Sequence, residues 1–209
     1  MTKFLFKVLK IISVNENLQM EIDIETVKKV LQERDLILVD TVGKGSYSTA
    51  FTVKSIRYDS MLFVAKVIHS PNKDSSSLYD AYIRELETLK GLTHPYVIQL
   101  YDAFKTDDNV LYIILEYCEQ GTLMDKIKKN GPLNGQQLVD ICQQILKGIS
   151  YIHSQNIAHR DIKPENIFIT YKNTIKIADF GFSSYVEAGQ KVDDFRGSIG
   201  YCSPEILKQ

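Results

Sequence analysis

The apolar residues of this 209-residue chain change period part-way along it, and that change limits the fold more than any other feature. From Leu36 to Val42, Ala50 to Arg57 and Met61 to Ile68 they form short β-branched or alternating runs, the pattern of strands. Gly43-Lys44-Gly45 separates the first two runs, so an antiparallel meander is predicted. Helical spacing follows from Leu78 to Leu92, then two further strand candidates, Val97 to Phe104 and Val110 to Glu116. The first half therefore reads as a small sheet with one long helix. After Gln120-Gly121 the period becomes helical: Thr122 to Lys129 is a short helix stopped by Gly131-Pro132, and Asn134 opens a long one. In that helix Leu138, Ile141, Ile145, Ile149 and Ile152 recur every three or four residues with Leu146 alongside, a stripe that demands burial against other helices. Short strands are predicted at Ile167 to Thr170 and Thr174 to Ile177.

Charge and cysteine content remove several functions. A net charge of −1 and a pI near 6.4 leave no overall basic field for nucleic acid, so phosphate binding has to come from a local site. Cys118, Cys142 and Cys202 form no C-x-x-C pair, which argues against a disulfide framework and a zinc site and for a reducing compartment, cytoplasm or nucleus. Lys3, Lys7 and Lys10 interrupt the apolar run from Met1 to Ser13 before it reaches membrane-spanning length. Residues 1–35 read as an extension that packs on the domain or frays, in preference to an amphipathic membrane anchor.

Several polar groups stand where chemistry would need them. Gly43-Lys44-Gly45-Ser46-Tyr47-Ser48 lies between two strands, where glycines let backbone N–H groups approach phosphate oxygens; it lacks the spacing and following helix of a P-loop. Lys66 sits inside the apolar run from Leu62 to Ile68, where an inward ammonium is costly unless paired, and Glu85 or Glu87 of the next helix could pair with it. The most specific element is His159-Arg160-Asp161-Ile162-Lys163-Pro164-Glu165-Asn166. Asp179-Phe180-Gly181 follows eighteen residues after Asp161, and Ser203-Pro204-Glu205 closes the series.

With these pieces in this order from Gly43 to Glu205, the chain resembles eukaryotic-type protein kinases of the Ser/Thr class. Tyr82 to Phe104, Glu116 to Leu123 and Gly197 to Glu205 look most like the calcium/calmodulin-dependent and AMP-activated group. The resemblance implies an α+β, two-lobed fold over 36–209: a lobe of antiparallel sheet with one helix at 36–117, and a mainly helical lobe, incomplete, at 118–209. It implies Mg·ATP and a protein Ser or Thr acceptor as reactants, with basic residues near the acceptor suggested by Glu165. Asp161 would orient the acceptor hydroxyl and take its proton, and Lys163 would steady the γ-phosphate. Lys66, held by Glu85, would bind the α- and β-phosphates, and Asn166 and Asp179 would ligate Mg²⁺. The nucleotide would lie among Gly43, Lys44, Gly45, Ser46, Ser48, Ala50, Val64 and Phe168, with Leu115 as gatekeeper and the backbone of Glu116 and Cys118 on adenine.

The departures from the family pattern carry expectations of their own. Ser48 stands for the third glycine of the phosphate loop, which should stiffen it modestly. Ala50 and Val64 exchange the sizes usual at those positions, a swap that would conserve pocket volume. Asp193 or Asp194, where an activating phosphothreonine is usual, would pair with Arg160. Ser183, Ser184 and Ser198 are candidate phosphorylation sites, with Ser198 better placed to contact Asp161 and Lys163. The sequence ends four residues after Glu205, where the family continues into helices, so the apolar stripe of the long helix is expected to be only partly covered. The alternative reading is a catalytically inactive module that binds nucleotide or regulates another kinase; oligomeric state is left open.

Overall fold

The computed structural model describes residues 23–44, 48–59, 61–68, 76–187, 189–190 and 196–207, with backbone alone at 76–81. The upper half is a five-stranded sheet in the order β1-β2-β3-β5-β4, antiparallel throughout: β1 Leu36–Lys44, β2 Ser48–Ser55, β3 Leu62–Ile68, β4 Leu100–Lys105 and β5 Leu111–Glu116. Strand β2 stops at Ser55, short of the expected Arg57, because the Ser55 hydroxyl accepts the N–H groups of Arg57 and Tyr58 (both 3.1 Å) and turns the chain. Strand β4 starts at Leu100 and not at Val97, which pairs in parallel with Ile177 of the lower half.

Register gives the two faces of the sheet different work. Phe51, Val53, Phe63, Ala65, Val67, Tyr112 and Ile114 form one buried layer, closed by Val27 and Leu31 of helix α1, Ile24–Gln32. Asp23 caps that helix by accepting the N–H groups of Glu25 and Thr26. The sequence reading placed no element inside residues 1–35, although Ile24, Val27, Val30 and Leu31 recur at helical spacing behind the Asp23 cap. Leu31 is fully buried, so Leu31→Ala is expected to cost about 2–5 kcal/mol. An unchanged denaturation midpoint would show that α1 merely rests on the sheet.

On the other face Ala50 lies opposite Lys66, Lys66 opposite Ile113, and Val64 opposite Leu115. Helix α2, Ser76–Lys90, covers part of this face, where Leu86 packs with Ile68, Leu111 and Ile113. A one-residue slip of β3 would send the Lys66 ammonium into the apolar layer beneath α1.

The lower half opens with α3, Leu123–Asn130, capped reciprocally by Thr122 and Asp125 and ended by Gly131 at φ 79°. Helix α4, Gly135–Ser154, begins at Asn134, whose side chain accepts the Gln137 N–H. Its buried edge is Ile141, Gly148 and Ile152, and the close approach is made by glycine: a Cβ at 148 would stand 2.7 Å from Ile177 Cδ1 and 3.2 Å from the Tyr96 carbonyl oxygen. Of the expected stripe, Ile145 and Ile149 are partly buried, whereas Leu138 and Leu146 are 48% and 64% exposed. Strands β6 (Ile157–Ala158), β7 (Ile167–Ile169), β8 (Ile175–Ile177) and β9 (Ser184–Tyr185) pair as β6-β9 and β7-β8, and a short α5, Pro204–Leu207, ends the described chain. One core runs from Leu89 of α2 and Leu92 just beyond it through Ile167, Ile177 and Phe180 to Ile152, so the halves share a packed interior. The α+β, two-lobed expectation is met.

Candidate active site

The face of β3 opposite α1 carries the first ion pair. Lys66 Nζ lies 2.7 Å from Glu85 Oε2, and the Glu85 side chain is 3% exposed, whereas Glu87 points to solvent. Burial works against the ammonium, but attraction from Glu85 and then Asp179 outweighs it and holds the Lys66 pKa above the usual lysine value. The ring of Tyr82 lies 4.9 Å from Lys66 Nζ, and its hydroxyl donates to Ser48 Oγ at 3.3 Å. The side chain that replaces a glycine therefore ties the end of the β1–β2 loop to α2. Gly43 and Lys44 end β1 at its exposed tip; Gly45 and Ser46 lie outside the described residues.

The second cluster is built on the loop after β6. His159 is buried, accepts the Asp161 N–H at Nδ1 (3.3 Å) and donates from Nε2 to the Ala178 carbonyl (3.1 Å); burial keeps its imidazole below the usual pKa, in the neutral form those bonds require. Arg160 and Asp179 both adopt left-handed backbone, φ 67° and 65°, conformations costing roughly 1–3 kcal/mol for such residues and held by their surroundings. Asp161 is 2% exposed and both its carboxylate oxygens are held, Oδ1 by one donor only. Oδ2 accepts from Lys163 Nζ (2.7 Å) and Asn166 Nδ2 (2.9 Å), and Oδ1 from the Ser198 N–H (2.9 Å). Burial by itself would raise the Asp161 pKa; the bonds from Lys163 and Ser198 prevail and lower it.

Ser198 reaches this cluster because residue 197 is glycine. At φ 114°, a Cβ there would stand 2.4 Å from the Arg160 carbonyl oxygen. The Ser198 hydroxyl also accepts from Lys163 Nζ at 2.7 Å. Asn166 gives its amide nitrogen to Asp161, both to the backbone carbonyl and to Oδ2, so its side-chain carbonyl oxygen is the atom that could ligate a metal. A Cβ at Gly181 would stand 3.3 Å from Asp179 Oδ1, so glycine there keeps room around that carboxylate. Among the described residues no group of three His, Cys, Asp or Glu could hold a metal alone. Asn166 and Asp179 suit Mg²⁺ as a pair of hard oxygen donors completed by phosphate oxygens and water.

The connection between the halves is stitched to β7. Gln120 N–H donates to Ile169 O (3.0 Å), Ile169 N–H returns to Gly121 O (2.9 Å), and Thr122 bridges Phe168. Glu116 is pinned by its N–H to Gln99 O (2.9 Å) and by Lys176 at 2.8 Å; Leu115 before it lies opposite Val64 on the face that carries Lys66, and Cys118 after it packs into the core. Burial pushes the Cys118 thiol up to about 12.

Other contacts were not legible from spacing. Thr88 Oγ1 of α2 lies 3.1 Å from Ser183 Oγ, which also donates to the Phe180 carbonyl at 2.6 Å. Ser183 is 2% exposed, so the expectation that it accepts phosphate does not hold for this conformation. Arg84, Arg160 and Arg196 converge with Ser184 on a cavity of about 310 Å³; Asp193 and Asp194, expected near Arg160, lie outside the described residues.

Comparison with known families settles the lineage. The model of the protein kinase domain matches residues 36–209. This chain belongs to the protein kinase family. The domain is 35% identical over 178 residues to the serine/threonine-protein kinase cds1 of Schizosaccharomyces pombe, covering 82% of this chain and 38% of that protein. It is 34% identical over 168 residues to the serine/threonine-protein kinase SIK2 of Gallus gallus, covering 80% of this chain and 21% of that one. The yeast kinase GIN4 of Saccharomyces cerevisiae is 41% identical over 124 residues, 59% of this chain and 11% of its own. The kinase domain thus spans well under half the length of these relatives, and the likeness to Ser/Thr kinases of the calcium/calmodulin-dependent and AMP-activated group stands. Among its described residues no helix is long and apolar enough to cross a membrane.

Proposed function

We propose that this kinase domain transfers the γ-phosphate of Mg·ATP to a serine or threonine hydroxyl of a protein. The observation that carries the reading is the Asp161 carboxylate, buried and fixed by Lys163, Asn166 and the Ser198 N–H on one side of a cleft whose other wall holds the Lys66–Glu85 pair. Phosphoryl transfer asks for positioning and charge neutralisation more than covalent chemistry. Asp161 orients the acceptor hydroxyl and receives its proton; its lowered pKa makes it a director of that hydroxyl before it is a proton store. Lys163, already beside Asp161, steadies the phosphoryl group in flight. Lys66 anchors the α- and β-phosphates, and Glu85 keeps its ammonium aimed into the cleft. Asn166 and Asp179 would hold Mg²⁺, which when bound would supply positive charge to neutralise the phosphate oxygens. Ala50, Val64, Leu115 and Phe168 enclose adenine, with backbone bonds from Glu116 and Cys118. We assign 36–117 and 118–209 to the two lobes and add α1 to the first, because Val27 and Leu31 complete its core. Three free cysteines favour a reducing compartment, cytoplasm or nucleus.

The exposed Leu138, Val139 and Leu146 on α4 suit a partner surface and favour a second reading, a module that binds nucleotide or regulates another kinase without transferring phosphate. Two measurements separate them. Mg·ATP at about 100 times its Kd is expected to stabilise the domain by about 2.7 kcal/mol, and a serine peptide with basic flanks to gain phosphate. Stabilisation without transfer supports the second reading; neither effect overturns transfer and nucleotide binding together.

A further inference from the structure

A cleft of about 660 Å³ lies apart from Lys66 and Asp161, between α3, the outer side of α4 and the β7–β8 turn. Ile141, 7% exposed, is the apolar side chain its floor presents, with Ile169 and Ile175 wholly buried beneath. Its rim is basic: Lys126 from α3, Lys147 from α4 and Lys172 from the turn, against one carboxylate, Asp140, which accepts from Gln136 at 2.8 Å. Among the described residues none of these lysines has a carboxylate within 4.0 Å. In a chain of net charge −1 that is a local concentration of positive charge around a largely polar cleft with Ile141 at its base, Lys172 also lying 5.4 Å from the Tyr171 ring. Three ammonium groups from three separate elements suit carboxylates spaced along a strand better than one small anion. The amides of Gln137, Gln143 and Asn173 at the edge offer donors and acceptors to a peptide backbone.

We propose that this cleft docks an extended acidic segment of a protein partner, its carboxylates on Lys126, Lys147 and Lys172 and its apolar side chains over Ile141. Docking here would hold a substrate on the kinase while its hydroxyl visits Asp161, adding effective concentration without touching the chemistry; only this tethering part rests on the phosphotransfer reading.

The test uses the full chain, a fluorescein-labelled peptide of alternating aspartate and leucine, a lysine–leucine counterpart and a single-stranded oligonucleotide. The acidic peptide is expected to bind by anisotropy, to weaken with added salt, and to lose about tenfold in affinity in Lys126→Glu/Lys147→Glu/Lys172→Glu. If that triple variant melts early, Lys147→Glu and Lys172→Glu singly should each lose about threefold. Fusing the acidic segment to a serine peptide should lower KM by about tenfold at unchanged kcat, in the parent and not in the variant. Acidic binding no tighter than that of the basic peptide or the oligonucleotide, or binding indifferent to charge reversal, overturns the proposal. Because anisotropy needs no turnover, absence of transfer would count against the proposed activity and leave the docking result intact.

Discussion

Asp161→Asn is expected to lower kcat by about 10²–10⁴-fold while leaving Mg·ATP-dependent stabilisation in place. The size follows from what surrounds the group. Both carboxylate oxygens accept from fixed donors, Lys163 and Asn166 at Oδ2 and Ser198 N–H at Oδ1, so one amide oxygen cannot satisfy both sides. Whichever way the amide turns, its NH₂ faces a donor. The acceptor hydroxyl loses its proton acceptor, and Lys163 loses the partner that keeps it beside the phosphoryl path. Single-turnover phosphotransfer with a serine peptide measures this directly. A rate within a factor of about two of the parent would remove Asp161 from the mechanism.

Lys66→Met should abolish Mg·ATP stabilisation and cost roughly 3–5 kcal/mol of unfolding free energy, because it leaves Glu85 buried without its partner. The loss should depend on pH with a definite sign. In the variant the buried carboxyl, which also feels Asp179, has a folded pKa raised above its unfolded value. Stability is then fully present below the unfolded pKa and lost as pH rises through the folded one, so the variant should unfold more readily at about pH 8 than at about pH 5. Lys66→Met/Glu85→Leu should regain most of the stability and none of the nucleotide binding. If the double variant again responds to Mg·ATP, Lys66 does not hold the phosphates.

The order of elements was largely legible, because each run carries its own signal: β3 and β5 are short, nearly continuous apolar runs, α4 repeats every three or four, and Asn134 and Thr122 announce the helices they cap. Helix α1 was passed over although Ile24, Val27, Val30 and Leu31 carry helical spacing, and what spacing does not show is its partner surface, the Phe51–Ala65 layer assembled from distant strands. Ser183 read as an exposed hydroxyl because nothing local shows that Thr88, ninety-five residues earlier in the chain, closes over it.

What the sequence determined by itself was the inventory and its order, from Gly43 through Asp161, Lys163, Asn166 and Asp179 to Glu205, since residue types at fixed spacing carry the family resemblance without any contact being known. Tertiary structure alone decided which carboxylate meets Lys66. Glu85 and Glu87 are equally near in sequence, but residues two apart on a helix project roughly 200° apart, so packing of Leu86 and Leu89 against the core turns one inward and the other to water. It likewise decided that Ser198 joins Asp161, a contact that exists only because Gly197 lets two distant loops pass at a distance no side chain would tolerate.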